Sequence, residues 1–444
     1  VTRTAPPAAG GVRPGTDHRR GLALIGLAIV LTGLNLRTAV TSVGPVLGEL
    51  ERGLGISSGL AGLITSMPVL CFAVIGFAGP PLSARFRDSH VLAGALLAMA
   101  AGLVLRSLAG GFPLFLAGTA VAMIGGALGN VLLPGLVKRY FPGRTGLLVG
   151  AYSTALGLGG ATAAMAAQPI ADAAAGEGWR WALGVWAVPA LAAAAVWLTV
   201  RATPGASRAT HAAVRMRDLV HSRMALALTV FFGIQGLQAY IVIGWSAQYL
   251  REAGLSAATA GLLLGLNSVV GLPVSALVPS LTVRPRWQRP LLLGFLTCYV
   301  AGWVGLWQAP TTAPWLWMGL LALGMGTFAM VLTLIGLRAR TPETTAALST
   351  VAQGWGYVIA GVGPLLVGVL RGITGDYTGM FVLVLAGVAG LAVSGWVATG
   401  QRYVDDEVDR SVPGWSATGT RTEVLESAGA EAPASAQIRD DPRD

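Results

Sequence analysis

The sequence predicts an all-α polytopic membrane protein of twelve transmembrane helices, arranged as two parallel six-helix bundles. Three observations carry this expectation: too little charge for a soluble chain, twelve apolar stretches of spanning length, and an internal repeat. Of 444 residues, 54% are hydrophobic and 11% are charged, less than half the roughly 25% charge of a soluble domain. The same figures exclude an intrinsically disordered or collagen-like chain. Cys71 and Cys298 both fall in apolar runs, which argues against a disulfide framework and a cysteine metal site. No metal and no cofactor is expected.

A spanning helix needs roughly 20 mostly apolar residues. Such stretches run over 21–47, 58–82, 90–109, 112–137, 146–171, 180–200, 224–250, 256–282, 290–308, 313–336, 346–370 and 378–400. The first follows His18-Arg19-Arg20 as a secretory leader would, but its length and the central Asn35 and Arg37 mark a membrane helix. The chain therefore divides into a disordered cytoplasmic tail (1–20), an N-terminal bundle (21–200), a basic linker (201–223), a C-terminal bundle (224–400) and an acid-rich, disordered tail (401–444).

The net charge of +10 reads as membrane topology, with no nucleic-acid partner. Arg19, Arg20, Arg85, Arg87, Lys138, Arg139 and the linker arginines fall on the side of the termini, whereas Arg52, Arg106, Arg180, Arg251 and Arg371 fall on the other. The positive-inside rule then places both termini in the cytoplasm, with the chain in the inner (plasma) membrane. Its partners are the lipid bilayer and a small-molecule substrate, and it is expected to act as a monomer.

The repeat joins the halves. Gly55-Ile56-Ser57, Ala61-Gly62-Leu63, Pro80, Leu82 and Arg85 recur as Gly254-Leu255-Ser256, Ala260-Gly261-Leu262, Pro279, Leu281 and Arg284. Six stretches separate the copies, so both enter the membrane in one orientation, the parallel-repeat plan of a two-bundle secondary transporter. An enzyme is not expected: His18, His90, His211 and His221 lie in tail or loops without paired carboxylates beside them. A sensor would need an output domain, and none is expected here.

Arg37, in the middle of span 1, is the one charge this map places deep in a span. A charge at the bilayer centre costs at least ~2.5 kcal/mol on insertion scales, which makes it a functional candidate by default. No Asp or Glu lies at that depth to neutralise it, and its five donors suit a carboxylate-like anion. The alternative is that Arg37 binds backbone carbonyls and water and only secures span 1. Asn35 is a second polar candidate on span 1, on nearly the opposite helical face.

In span 7, Gln235, Gln238, Trp245 and Tyr249 form one stripe. The amides suit either a polar cavity lining or helix–helix hydrogen bonds, and Tyr249 suits an aromatic belt. Gln353 and Tyr357 make a second such pair on span 11. The Gly-rich runs Gly157-Leu158-Gly159-Gly160 and Gly361-Val362-Gly363-Pro364 are assigned to the moving interface between halves. No titratable group lies at mid-depth, which disfavours a carboxylate proton relay. Facilitated diffusion, anion exchange, or symport in which the substrate carries the proton remain, with Asp172 as the acid nearest to altering this.

Asn35-Leu36-Arg37 with Thr41-Ser42-Val43-Gly44-Pro45, Met67-Pro68-Val69-Leu70-Cys71-Phe72, Asn130-Val131-Leu132-Leu133-Pro134, Lys138-Arg139-Tyr140-Phe141-Pro142, Gly150-Ala151-Tyr152-Ser153-Thr154-Ala155 and Ala352-Gln353-Gly354-Trp355-Gly356-Tyr357 form a further set of motifs. Together they resemble the cyanate and nitroimidazole transporters (CynX/NimT type) of the major facilitator superfamily, over most of the chain from span 1 to span 11. The resemblance implies a twelve-helix facilitator fold and transport of a small compound of that kind. It also implies that Arg37, Gln235, Tyr240, Gln353 and Tyr357 stand at motif positions. The sequence departs from the pattern at Trp245-Ser246-Ala247, where the family tends to read Trp-Leu-Pro. The expected function is alternating-access transport, secondary active or facilitative, of a small anionic or polarised solute. The alternative is a proton-coupled exporter of drug-like, lipophilic compounds with the same fold.

Overall fold

A computed structural model describes residues 16–83, 88–141, 144–174, 176–200, 219 and 221–411. The first fifteen residues, nearly all of the basic linker, the Arg85-Phe86-Arg87 cluster and the tail beyond Ser411 lie outside the described residues. The described residues form an all-α polytopic membrane protein with twelve helical spans long and apolar enough to cross a bilayer.

Span 1 is built from α1 (Thr16–Asn35), α2 (Thr38–Thr41), a 3-10 turn (Gly44–Val46) and α3 (Leu47–Leu54). Spans 2 to 5 are α4 (Ser58–Ser83), α5 (Asp88–Ser107), α6 (Phe112–Tyr140) and α7 (Thr145–Ala173), and span 6 is α8 (Trp179–Gly184) with α9 (Ala187–Thr199). Spans 7 to 9 are α10 (Arg223–Glu252), α11 (Ala257–Thr282) and α12 (Pro285–Gln308). Span 10 is α13 (Pro314–Gly324) with α14 (Gly326–Leu337), span 11 is α15 (Pro342–Thr374) and span 12 is α16 (Thr378–Ala398).

Local chemistry sets the ends. Ser222, Ser256 and Thr341 cap spans 7, 8 and 11 by accepting from the amides of Ala225, Thr259 and Thr344 at 3.1 Å, which satisfies donors a helix start leaves free. Gly55 (φ 62°) and Gly375 (φ 76°) end α3 and span 11 in the left-handed region, where a side chain would be strained.

The repeat is visible as packing. A Cβ added to Gly62 in span 2 would lie 2.9 Å from the Pro364 carbonyl of span 11, and one added to Gly261 in span 8 would lie 2.9 Å from the Ala164 carbonyl of span 5. The repeated Ala-Gly-Leu motifs thus make the same backbone-close crossing on opposite sides of the molecule, each between one half and the other. The Gly-rich runs are divided. Gly157 and Gly361 meet Leu272 and Leu70 of the opposite half, whereas Gly159 and Gly363 meet Leu34 and Leu237 of their own. Only part of each run therefore lies at the interface to which the sequence assigned it.

Three further expectations are corrected. Span 1 is not one continuous helix: it unwinds at Leu36-Arg37 and again after Thr41. Tyr249 does not stand in an aromatic belt. Its hydroxyl donates to the Leu306 carbonyl at 2.7 Å and its ring packs on Tyr377 and Phe381, inside the C-terminal bundle, where Trp245 is also fully buried. The acidic tail is ordered in part, because Val404–Ser411 forms a helix, α17. Val404 and Val408 are buried, and Glu407 accepts from Ser222 Oγ (2.8 Å) and the Met224 amide (3.0 Å) at the start of span 7. Asp405 accepts from the Arg340 amide (2.9 Å) and Thr344 Oγ1 (2.8 Å) at the start of span 11. Both carboxylates sit at helix N-termini, where unpaired amides and the dipole favour negative charge.

Candidate solute site at the junction of the halves

The break in span 1 positions Arg37. Leu36 still bonds back into α1, while the Arg37 carbonyl accepts the Thr41 amide and Thr41 Oγ1, both at 3.0 Å. Thr41 Oγ1 also donates to the Gly160 carbonyl of span 5 at 2.9 Å. The Arg37 side chain then runs over Gly160: a Cβ there would lie 3.3 Å from Arg37 Cβ, 3.6 Å from its Cδ and 3.5 Å from Ser268 Oγ of span 8. A side chain at this position would crowd Arg37 Cβ, and glycine leaves the guanidinium arm free to pass from one half towards the other.

Beyond that passage, Arg37 comes within electrostatic range of the hydroxyls of Tyr240 in span 7 and Tyr357 in span 11. Arg37, Gly160, Tyr240, Ser268 and Tyr357 all lie near the middles of their spans. Arg37, Tyr240 and Tyr357 are half-buried, and Arg37 makes no side-chain hydrogen bond or ion pair with any described residue. Phe72 (ring centroids 5.7 Å apart) and Phe232 (5.1 Å, edge-on) flank Tyr357, and Phe328 continues the wall from Phe232. The arrangement is a cation unpaired among the described residues and two phenols beside an aromatic wall.

The seven sequence candidates separate. Arg37, Tyr240 and Tyr357 converge, and Gln353 is also half-buried on the terminus side of Tyr357, donating to Ser349 Oγ at 2.6 Å. Gln238 is used inside its own half: it donates to the Val384 carbonyl (2.7 Å) and accepts from Trp303 Nε1 (2.9 Å). Gln235 is 2% exposed. Asn35 is buried and faces span 6, donating to the Pro189 carbonyl at 3.1 Å and to Leu31 at 2.8 Å. Asn35 and Arg37 do point apart, as helical geometry predicted, although the helix breaks between them.

Arg37 is not the only arginine inside the protein. Arg106, counted in the sequence among charges at the membrane edge, is 0% exposed in span 3. It donates to the Ala39 carbonyl, Ser42 Oγ and the Leu183 carbonyl.

At the end of the molecule remote from the termini, a cluster of five further charged residues joins the halves. Arg251 of span 7 grips Glu49 of span 1 with two prongs (2.8 and 2.5 Å) and donates to the Pro45 carbonyl at 2.7 Å. Arg371 of span 11 bridges Glu51 (3.3 Å), Glu252 (2.6 Å) and Ser58 Oγ (2.9 Å). Gln248 donates to Glu51 at 2.9 Å. Tyr377 donates to Glu252 at 3.1 Å, and burial pushes its phenol above the usual tyrosine range, so it stays a neutral donor there. Sequence reasoning missed this cluster. Its trace is the charge-swapped pair Leu50-Glu51-Arg52 and Leu250-Arg251-Glu252.

Residues 25–364 match the model of the Major Facilitator Superfamily. The chain belongs to the Major Facilitator Superfamily. It is 34% identical over 85% of its length to an uncharacterized transporter of Bacillus subtilis, YycB, of which it covers 93%. It is 36% identical to the 2-nitroimidazole transporter and 33% identical to the cyanate transport protein CynX of Escherichia coli. In both cases 79% of this chain is covered, with 88% and 91% of the relatives. Among solved structures, a bacterial homologue of the lysosomal transporter Spinster shares the fold at TM-score 0.68, with 18% identity over 88% of this chain and 97% of that one. This facilitator is therefore a secondary transporter of a small solute that works by alternating access between its two halves.

Proposed function

We propose that this facilitator carries a small anionic or strongly polarised solute of the cyanate or nitroimidazole kind, with Arg37 as its central contact. The observation that carries the proposal is a mid-membrane guanidinium with no hydrogen-bond or ion-pair partner among the described residues, within electrostatic range of Tyr240 and Tyr357 across the junction of the halves. A cation at that depth is costly unless something completes it, and an anion or a nitro group accepts what the guanidinium and phenols donate. The aromatic wall suits a flat ring. The E. coli relatives named for cyanate and 2-nitroimidazole support the same solute class.

With the termini in the cytoplasm, as the arginine distribution predicts, the Glu49–Arg251 and Glu51–Arg371 pairs form the outer gate. The site then exchanges with the cytoplasmic side. No carboxylate shares the centre with Arg37 among the described residues, which favours uniport, exchange, or symport in which the solute carries its own proton. The protein is proposed to act as a monomer.

The test is binding of cyanate and 2-nitroimidazole to the purified chain and to Arg37→Ala. The expected result is a loss of at least tenfold in affinity for one or both probes. Equal binding to both proteins would remove Arg37 from the site. The aromatic wall also favours a second reading, a proton-coupled exporter of lipophilic compounds. That reading requires a proton flux in liposomes which rises when a lipophilic substrate is supplied.

A further inference from the structure

Arg106 lies in the N-terminal half, fully enclosed and without an ion pair among the described residues. Its Nη1 donates to the Ala39 carbonyl at 3.0 Å, its Nη2 to Ser42 Oγ and to the Leu183 carbonyl of span 6, each at 3.4 Å, and its Nε has no partner. Enclosing a guanidinium among neutral acceptors is costly, and an apolar side chain would fill the space more cheaply. What an apolar side chain cannot do is reach two spans at once with a rigid fork of donors.

The acceptors identify what that fork holds. Ala39 and Ser42 belong to the interrupted part of span 1. The Val43 amide there bonds to the Val40 carbonyl, so a regular helix's bond to Ala39 is missing. Unwound backbone inside a membrane protein must have its polar groups satisfied by neighbours, and Arg106 takes the Ala39 carbonyl that the unwinding frees. Between Ala39 and Ser42 lies Thr41, which binds the Arg37 carbonyl and the Gly160 carbonyl. Arg106, the unwound segment, Thr41 and Arg37 are thus one continuous chain of contacts.

We propose that Arg106 is a positioning residue for the central site: it holds span 1 unwound and so aims Arg37 at Tyr240 and Tyr357. Its own unpaired charge adds to the positive field of the same half. The proposal rests on the reading of Arg37 as the solute contact.

The test measures the affinity of the full chain in lipid nanodiscs for cyanate and 2-nitroimidazole. Variants are Arg106→Gln and Arg106→Lys, each made in the wild-type and in the Arg37→Lys background. If Arg106 acts through Arg37, Arg106→Gln weakens binding at least tenfold in the wild type, Arg106→Lys recovers part of that loss, and Arg106→Gln changes affinity less than twofold once Arg37 is Lys. An equal factor in both backgrounds, or no change on Arg106→Gln, overturns the proposal. If Arg106→Gln does not yield a folded, monodisperse protein, Ser42→Ala takes its place, with a two- to fivefold loss expected in the wild-type background only. An unchanged affinity of Ser42→Ala then counts against the proposal. A wild-type chain that binds neither probe overturns the reading of Arg37 itself, which separates that failure from this one.

Discussion

Arg251 closes a two-pronged ion pair on Glu49 across the boundary between the halves, with both side chains about one-fifth exposed. A forked guanidinium–carboxylate pair in such partial shelter is stronger than a surface pair, which contributes about 0–1 kcal/mol. Breaking it by Arg251→Gln leaves Glu49 partly desolvated. The expected outcome is a shift of about tenfold, or ~1.4 kcal/mol, towards opening at this end. Spin-label distances between Arg52→Cys and Ala253→Cys would measure it. The swapped pair Glu49→Arg with Arg251→Glu should restore most of the closed population.

The crossings at Gly62 and Gly261 predict a matched pair of defects. A methyl group at either position meets a carbonyl oxygen of the other half at 2.9 Å, closer than packed atoms tolerate. Gly62→Ala and Gly261→Ala should each destabilise by roughly 1–3 kcal/mol and slow uptake severalfold. Gly94→Ala, where a methyl meets nothing within 4 Å, should do neither. Thermal melts and uptake into proteoliposomes would show both effects.

Gly160→Ala acts on the solute site more directly. Its methyl would press on Arg37 Cβ at 3.3 Å and turn the side chain away from Tyr240 and Tyr357. A severalfold rise in the apparent KM for the transported solute, with little change in melting temperature, is expected. A change in melting temperature without a change in KM would place Arg37 elsewhere during transport.

Asp405 and Glu407 tie α17 to the starts of spans 11 and 7, each through two hydrogen bonds, and such a bond contributes about 0.5–1.5 kcal/mol, more when charged. Truncation after Gly400 should therefore lower the melting temperature measurably, and Glu407→Gln should give a smaller drop of the same sign. Asp172, hydrogen-bonded by Gln168 at 2.7 Å, lies far from the mid-span residues, near the end of span 5. Asp172→Asn is expected to leave solute-driven proton flux, read with a pH-sensitive dye inside liposomes, within twofold of wild type.

The span count, the repeat and Arg37 were legible in the sequence because each is a property of the chain against the bilayer: apolar length, periodic identity, and an isolated charge. Tyr240 came from motif resemblance alone, since a tyrosine in an apolar helix has no distinguishing local pattern. The unwinding at Leu36-Arg37 was not legible, because neither Gly nor Pro interrupts Asn35-Leu36-Arg37-Thr38. The Asn35 carbonyl at that break is taken by Thr38 Oγ1, and Asn35 itself is anchored to the Pro189 carbonyl 154 positions away. Gln238 and Gln353 have equal polarity in sequence. Only packing decides that one is enclosed by Val384 and Trp303 while the other is half-exposed near the junction.

The glycine crossings have a mechanical consequence. Two tight seams on opposite flanks of the molecule, one through Gly62 and one through Gly261, define a fulcrum. Displacement at the ion-paired end must then appear, with opposite sign, at the other. Gly62 lies one helical turn from Ser58, which accepts from Arg371, so the clasps act on the short arm of that lever and a small loss of grip there becomes a larger displacement at the opposite end.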